Sequence, residues 1–181
     1  DVILEEPDEN PFLEKFYRDK KNHALSVQLH FLFQRLKKLQ NLRQGDIFQS
    51  VRVSDFIIDK DPIFAKITLD DHEYSLYNTV YENVITDLPK PDVVIYLQAP
   101  TSALMQRVKL RGRSMEKDID ENYLIQLNDA YTHFFYHYTE TPLLIVNTST
   151  INLAKNERDY EDLVRYLLTK KISRNYYNPT L

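Results

Sequence analysis

Pro91-Asp92-Val93-Val94-Ile95-Tyr96-Leu97 constrains this chain more than any other stretch, because five consecutive apolar residues stand between two prolines and Pro100. An unbroken apolar run of that length predicts a strand buried on both faces, the kind found in parallel sheets. Other segments take their places around it. Val2 to Leu4, Val51 to Ser54 and Leu143 to Val146 read as further strands. Between them lie helical patterns. Asn10-Pro11 predicts a helix start, with Asn10 as cap and Pro11 at the first helical position. Asn22 then opens a longer helix carrying leucines from Leu25 to Leu42, which Gly45 closes. Asp70 and Glu73 have capping-box spacing ahead of Tyr74, Tyr77, Val80, Tyr81, Val84 and Leu88, a stripe for the core or a subunit interface. Thr101 to Leu110 is amphipathic, Asp120 caps another helix, and Tyr160 to Leu168 forms the last. Strand and helix alternate throughout, which implies a three-layer α/β domain over residues 1–181, with ligands beyond the carboxyl ends of its strands. Glu5, Glu6 and Asp55 fall at such ends, and Asp61-Pro62 reads as loop.

The chemistry-bearing stretch is Arg107-Val108-Lys109-Leu110-Arg111-Gly112-Arg113, with Glu116 three positions on. Four cations within seven residues ask for an anion, and guanidinium groups take phosphate oxygens two at a time. Arg107 and Arg111 share a helix face, and Gly112 lets the chain turn so that Arg113 converges with them. The alternative is a helix whose basic last turn complements its own dipole, with Gly112 near the C-cap. Gln28 and Arg35, two turns apart beside the leucine stripe, either extend past the apolar face or line a pocket.

Composition narrows the classes. At 181 residues and 43% hydrophobic the chain can bury a core, and its formal charge of -4 disfavours binding to polymeric nucleic acid over a broad basic surface. The absence of cysteine excludes disulfides and thiolate metal sites and accords with a reducing cytoplasm. No run approaches the ~20 apolar residues that span a bilayer.

An ordered set of motifs resembles the bacterial deoxynucleoside kinases from Leu4 to about Leu168: Glu5-Glu6-Pro7, Asn10-Pro11-Phe12-Leu13, Phe16-Tyr17, Gln28 to Arg35, Pro91 to Leu97 and Arg111-Gly112-Arg113. The resemblance implies a P-loop kinase-like fold, with five strands in the parallel sheet of the intact protein. It also implies ATP as phosphoryl donor with Mg2+, a homodimer, and a 5'-hydroxyl acceptor on a deoxynucleoside, deoxyadenosine favoured. By the same resemblance Glu6 is the general base, and Arg107, Arg111 and Arg113 form a lid over the ATP phosphates. Gln28 and Asp61 read the base, Arg35 supports the base-side carboxylate, Tyr17 and Glu116 hold the sugar 3'-hydroxyl, and Asp55 places magnesium through water.

Two departures from the family pattern stand out. The loop Gly-x-x-x-x-Gly-Lys-Ser/Thr is not found in residues 1–181, and the sequence opens on Asp1. The expectation is about 30 further residues upstream, a strand, loop and helix, without which residues 1–181 are inactive. Phe56 occupies the place of an arginine that follows the second-strand acid, leaving Lys60 as the nearest substitute cation. The competing readings are a nucleoside monophosphate kinase, which would need cations for a second phosphate, and a non-catalytic nucleoside-binding or assembly module.

Overall fold

The computed structural model describes residues 1–43 and 51–179 and divides into two compact units, residues 1–89 with 112–127 and residues 90–111 with 128–181. The Gly45 helix stop lies outside the described residues.

In the first unit, β1 (Val2–Ile3) and β2 (Val53–Ser54) pair in parallel, with Val2 opposite Val53. Helices α1 (Leu13–Arg18), α2 (Lys20–Arg43), α3 (Asp61–Thr68) and α4 (Asp71–Val84) follow. Asn10 is buried; its Oδ1 accepts from the Phe12 amide at 3.1 Å while its Nδ2 donates to the Val27 carbonyl. It therefore builds a turn, and α1 begins at Leu13 rather than at Pro11. Asp19, not Asn22, caps α2: its carboxylate takes both the Asn22 backbone and side-chain amides. The capping box of α4 forms as its spacing predicts, with Asp70 accepting from the Glu73 amide and Glu73 accepting from that of Asp70. The leucine and tyrosine stripes meet here. Leu32, Leu36, Ala65 and Tyr77 form a buried cluster flanked by Leu25, Leu29, Tyr74 and Tyr81. Asp61 is not in a loop: it opens α3, with Pro62 in the first turn, where a missing N–H costs nothing.

The second unit is a parallel sheet in the order β3-β4-β5, with β3 at Val94–Gln98, β4 at Leu143–Asn147 and β5 at Arg174–Tyr177. Helix α6 (Glu121–His137) enters this unit after Leu127 and stacks Phe135 on Tyr96, centroids 4.3 Å apart. On the opposite face α7 (Glu157–Thr169) packs Leu163, Tyr166 and Leu167 against Leu144 and Val146. The layering is thus helix, sheet, helix. The strand buried on both faces is β4, whose Leu143 to Val146 are all covered; in β3 only Val94 and Tyr96 are buried, while Ile95 is 42% and Leu97 49% exposed. Among the described residues β3 pairs with β4 alone, and the burial on both faces expected of its apolar run is seen at β4 instead. β5 is a strand that the sequence pattern does not announce. Arg174 fixes it by donating to the carbonyls of Phe135, Tyr136 and Tyr138. Helix α5 (Thr101–Arg111) ends where Gly112 takes φ 65°, a left-handed C-terminal turn that glycine enters without a Cβ clash.

Candidate active site

Two adjacent glutamates leave β1 and meet opposite fates. The Glu5 amide donates to Asp55 Oδ1 at 2.9 Å, which ties the ends of β1 and β2 together. The Glu5 side chain turns inward. Its Oε1 accepts from Arg35 Nε and Nη2, both at 2.5 Å, and its Oε2 accepts from Lys60 Nζ at 2.8 Å. Arg35 continues the chain by donating Nη1 to Asp61 Oδ1, and its guanidinium lies over the Phe31 ring at 5.1 Å. Arg35 from α2, Asp61 from the first turn of α3, Lys60 from the 3-10 turn before it and Glu5 from the end of β1 make one line of alternating charge, buried at Arg35 and Asp61 and partly buried at Glu5 and Lys60.

Burial and charge pull against one another in this line. Desolvation would raise the Glu5 carboxyl, but Arg35 and Lys60 together outweigh it and hold the group below its ordinary value. Asp61 is wholly buried, and desolvation pushes its carboxyl up to about 6 in spite of Arg35 and Lys60. Burial, with help from Arg35, lowers the Lys60 ammonium more than Glu5 raises it. Among the described residues Asp61 Oδ2 has no hydrogen-bond partner, and neither has the buried hydroxyl of Tyr77, whose phenol is raised by burial and then by the Asp61 charge. An unsatisfied buried carboxylate oxygen costs free energy unless a ligand or a proton meets it.

Glu6 points the other way. Its side chain is 52% exposed and pairs with Lys38 Nζ, which also donates to the Leu4 carbonyl at 2.7 Å. Gln34 steadies the same turn through the Glu6 carbonyl. Gln28 is buried and donates to Thr68 Oγ1 at 3.2 Å. Thr68 also lines a cavity of about 450 Å³ with Lys20, Leu69, Asp120 and Tyr123. Tyr17 is half-buried against Phe16, and Glu116 is buried in the 3-10 turn Ser114–Glu116, with Arg113 Nη1 at 3.8 Å. Phe56 is 5% exposed and belongs to the interior.

The second unit carries Arg107 and Arg111 on α5. Arg107 donates Nη1 to Thr148 Oγ1 at 2.9 Å and Nη2 to the Thr148 carbonyl at 2.6 Å, so that guanidinium is held at the end of β4. Arg111 is exposed at the last residue of the helix.

Within the first unit, then, the structure joins Arg35 to Asp61 and leaves Glu6 exposed nearby in sequence. Glu5 and its engagement of Lys60 were not legible as site features. A signal existed: an acid at a strand end beside a second acid needs cations, and Lys60 is flanked by Asp59 and Asp61. Among the described residues no group of three or more His, Cys, Asp or Glu could hold a metal ion.

The family model for deoxynucleoside kinase matches residues 1–173. The chain belongs to the deoxynucleoside kinase family. A deoxyguanosine kinase from Bacillus subtilis is 32% identical over 175 residues, which covers 92% of this chain and 83% of that protein. A deoxyadenosine/deoxycytidine kinase from the same organism is 31% identical, over 89% of this chain and 76% of its own. Among solved structures, deoxyadenosine kinase from M. mycoides with bound dCTP superposes with a TM-score of 0.79 at 29% identity, covering 94% of this chain and 86% of that one. The fold of this deoxynucleoside kinase family member is therefore the P-loop kinase-like α/β fold, and phosphoryl transfer to a nucleoside is the activity of its family.

Proposed function

We propose that the protein transfers the γ-phosphoryl group of ATP to the 5'-hydroxyl of a deoxynucleoside, deoxyadenosine favoured, as a salvage reaction. The observation that carries the reading is the Asp61 carboxylate, buried, held on Oδ1 by Arg35 and unpartnered on Oδ2. Such an oxygen is an acceptor for an exocyclic amine, and adenine and cytosine each carry one where they face a carboxylate or amide. Relatives named for deoxyadenosine and for deoxyadenosine with deoxycytidine fit that chemistry.

Glu6, exposed and within reach of solvent-borne substrate, takes the proton of the 5'-hydroxyl as the oxygen attacks. Its pairing with Lys38 holds the carboxylate at the end of β1. Gln28 gives its amide to the base beside Asp61, while Arg35 keeps that carboxylate in place. Tyr17 and Glu116 orient the sugar through its 3'-hydroxyl. Arg107, Arg111 and Arg113 offset the negative charge of the transferred group. Magnesium fits at Asp55: Oδ1 is taken by the Glu5 amide, so the ion would bind through Oδ2 and water, as an ion that retains much of its hydration does. When bound it would neutralise phosphate charge. We further propose a cytoplasmic homodimer that acts on free nucleosides rather than on polymeric nucleic acid or at a membrane.

A second reading has one observation in its favour. Phe56, where the family pattern has an arginine, is buried, and Lys60 is engaged by Glu5, so neither offers a cation to the acceptor. A non-catalytic nucleoside-binding module would tolerate that. The test is a transfer assay on the full-length protein with magnesium, labelled ATP and each of the four deoxynucleosides. A 5'-monophosphate from one or more establishes the kinase; nucleoside binding without product overturns it in favour of the module.

A further inference from the structure

Glu5 lies outside every role assigned above, yet it is the central member of the buried charge line. It engages Arg35 through two nitrogens and Lys60 through its other oxygen. The two-pronged contact matters because an arginine side chain has many rotamers, and a guanidinium fixed along one edge presents Nη1 in one direction. That nitrogen, Nη1, meets Asp61 Oδ1. The second contact matters as much. The Lys60 ammonium attracts the Asp61 carboxylate, and with Glu5 as its partner it does not hydrogen-bond to Oδ2.

We propose that Glu5 is a positioning residue for base selection: it locks Arg35 onto one oxygen of Asp61 and holds Lys60 away from the other, so that this second oxygen stays available to the nucleobase. This rests on the reading of Asp61 as the base-side carboxylate. Without the Glu5 charge, two buried cations share a single anion, Lys60 turns to Asp61 Oδ2, and the acceptor is lost. Base discrimination is then lost, while contacts to the sugar remain. Glu5 also precedes Glu6 by one peptide bond, so the same strand end serves the base and the 5'-hydroxyl.

The experiment measures dissociation constants of deoxyadenosine, deoxycytidine, deoxyguanosine and thymidine by calorimetry, with the full-length protein, Glu5→Gln, Asp61→Asn and the double variant. The ratio between the weakest and tightest nucleoside falls about tenfold in Glu5→Gln, as expected when a polar contact to the base is removed. In the Asp61→Asn background, the same substitution changes the ratio by less than about twofold, since both act through one oxygen. Equal weakening of all four nucleosides in Glu5→Gln, or multiplying effects in the double variant, would make Glu5 merely structural and overturn the proposal. So would a parent protein that binds all four alike. A parent that binds none of them sinks the nucleoside-kinase reading itself and the proposal with it. Should Glu5→Gln fail to fold, Glu5→Asp, which keeps the charge but draws it back by one methylene from Arg35 and Lys60, is read on the same scale and by the same outcomes.

Discussion

The buried charge line of the first unit and the arginine stretch that runs from α5 into the turn at Ser114 hold charged groups in opposite ways. Glu5, Arg35, Lys60 and Asp61 are 19%, 5%, 11% and 0% exposed at their side chains and each touches another member. Arg107 and Arg111 lie on a helix without a buried residue, and Arg113 is 36% exposed at its side chain. Buried ions hold one another by necessity, because a lone one would carry an uncompensated desolvation cost. Exposed arginines are screened, interact weakly with their surroundings and keep their rotamers. The difference teaches which task each region can take. A fixed carboxylate suits the reading of a base, whereas exposed cations suit a phosphate that arrives and leaves.

Glu6 tests the division most severely, since it sits one residue from the buried line but belongs with the exposed groups. Glu6→Gln is expected to cut turnover about 10²–10⁴-fold with nucleoside affinity nearly unchanged, because it removes proton transfer and keeps shape. Steady-state kinetics beside calorimetric binding measure both. Retained turnover would take the base role from Glu6, and a loss of affinity instead would place it with Glu5.

Stability separates the two regions next. Arg35→Ala leaves Glu5 and Asp61 facing each other without their shared cation and should cost about 3–5 kcal/mol in urea unfolding. Arg111→Ala should stay within about 0.5 kcal/mol, as surface substitutions do. Equal costs would erase the contrast.

The pH dependence sharpens it further. The Asp61 carboxyl is raised from 3.8 to about 6 in the fold, so the folded state binds that proton more tightly than the unfolded chain. Its contribution is present in full below about pH 4 and is lost as pH rises through about 6, by no more than about 3 kcal/mol. Asp61→Asn should remove this fall, visible as a flatter unfolding free energy between pH 4 and 6. The opposite behaviour, stability rising more steeply in the parent over that window, would mean that Arg35 outweighs burial at Asp61. Glu5, held below its ordinary value, acts in the other sense and is common to both proteins.

The same division decides what could be read from sequence. The arginine stretch was conspicuous because exposed function is written locally: spacing, a glycine and a charge cluster. The buried line joins positions 5, 35, 60 and 61, and no local pattern links them. Helix spacing marks Arg35 only as a polar residue beside the leucine stripe, Asp61 comes only through the family resemblance, and Glu5 is marked only as a strand-end acid, which looks alike whether it turns in or out. Elements with a strong period came through, as with the capping box at Asp70 and the strand at Leu143. β5 did not, since Arg-Asn-Tyr-Tyr owes its strand state to Arg174 reaching three carbonyls of the α6 end. The apolar run at Val94 gave a strand but not its place in the sheet, which depends on neighbours.

Arg107 is the member of the arginine stretch that strains the comparison, because Thr148 holds it through a hydroxyl and a carbonyl. Thr148→Val deletes the hydroxyl that accepts from Arg107 and donates to the Gln98 carbonyl, while the second contact to the Thr148 carbonyl survives. The expected cost is about 1–3 kcal/mol, that of two hydrogen bonds at about 0.5–1.5 kcal/mol each. Urea unfolding reads it directly. A cost well above about 3 kcal/mol would show that Arg107 is anchored as firmly as Arg35 and belongs to the fixed framework. A cost within about 1–3 kcal/mol groups Arg107 with the exposed arginines Arg111 and Arg113.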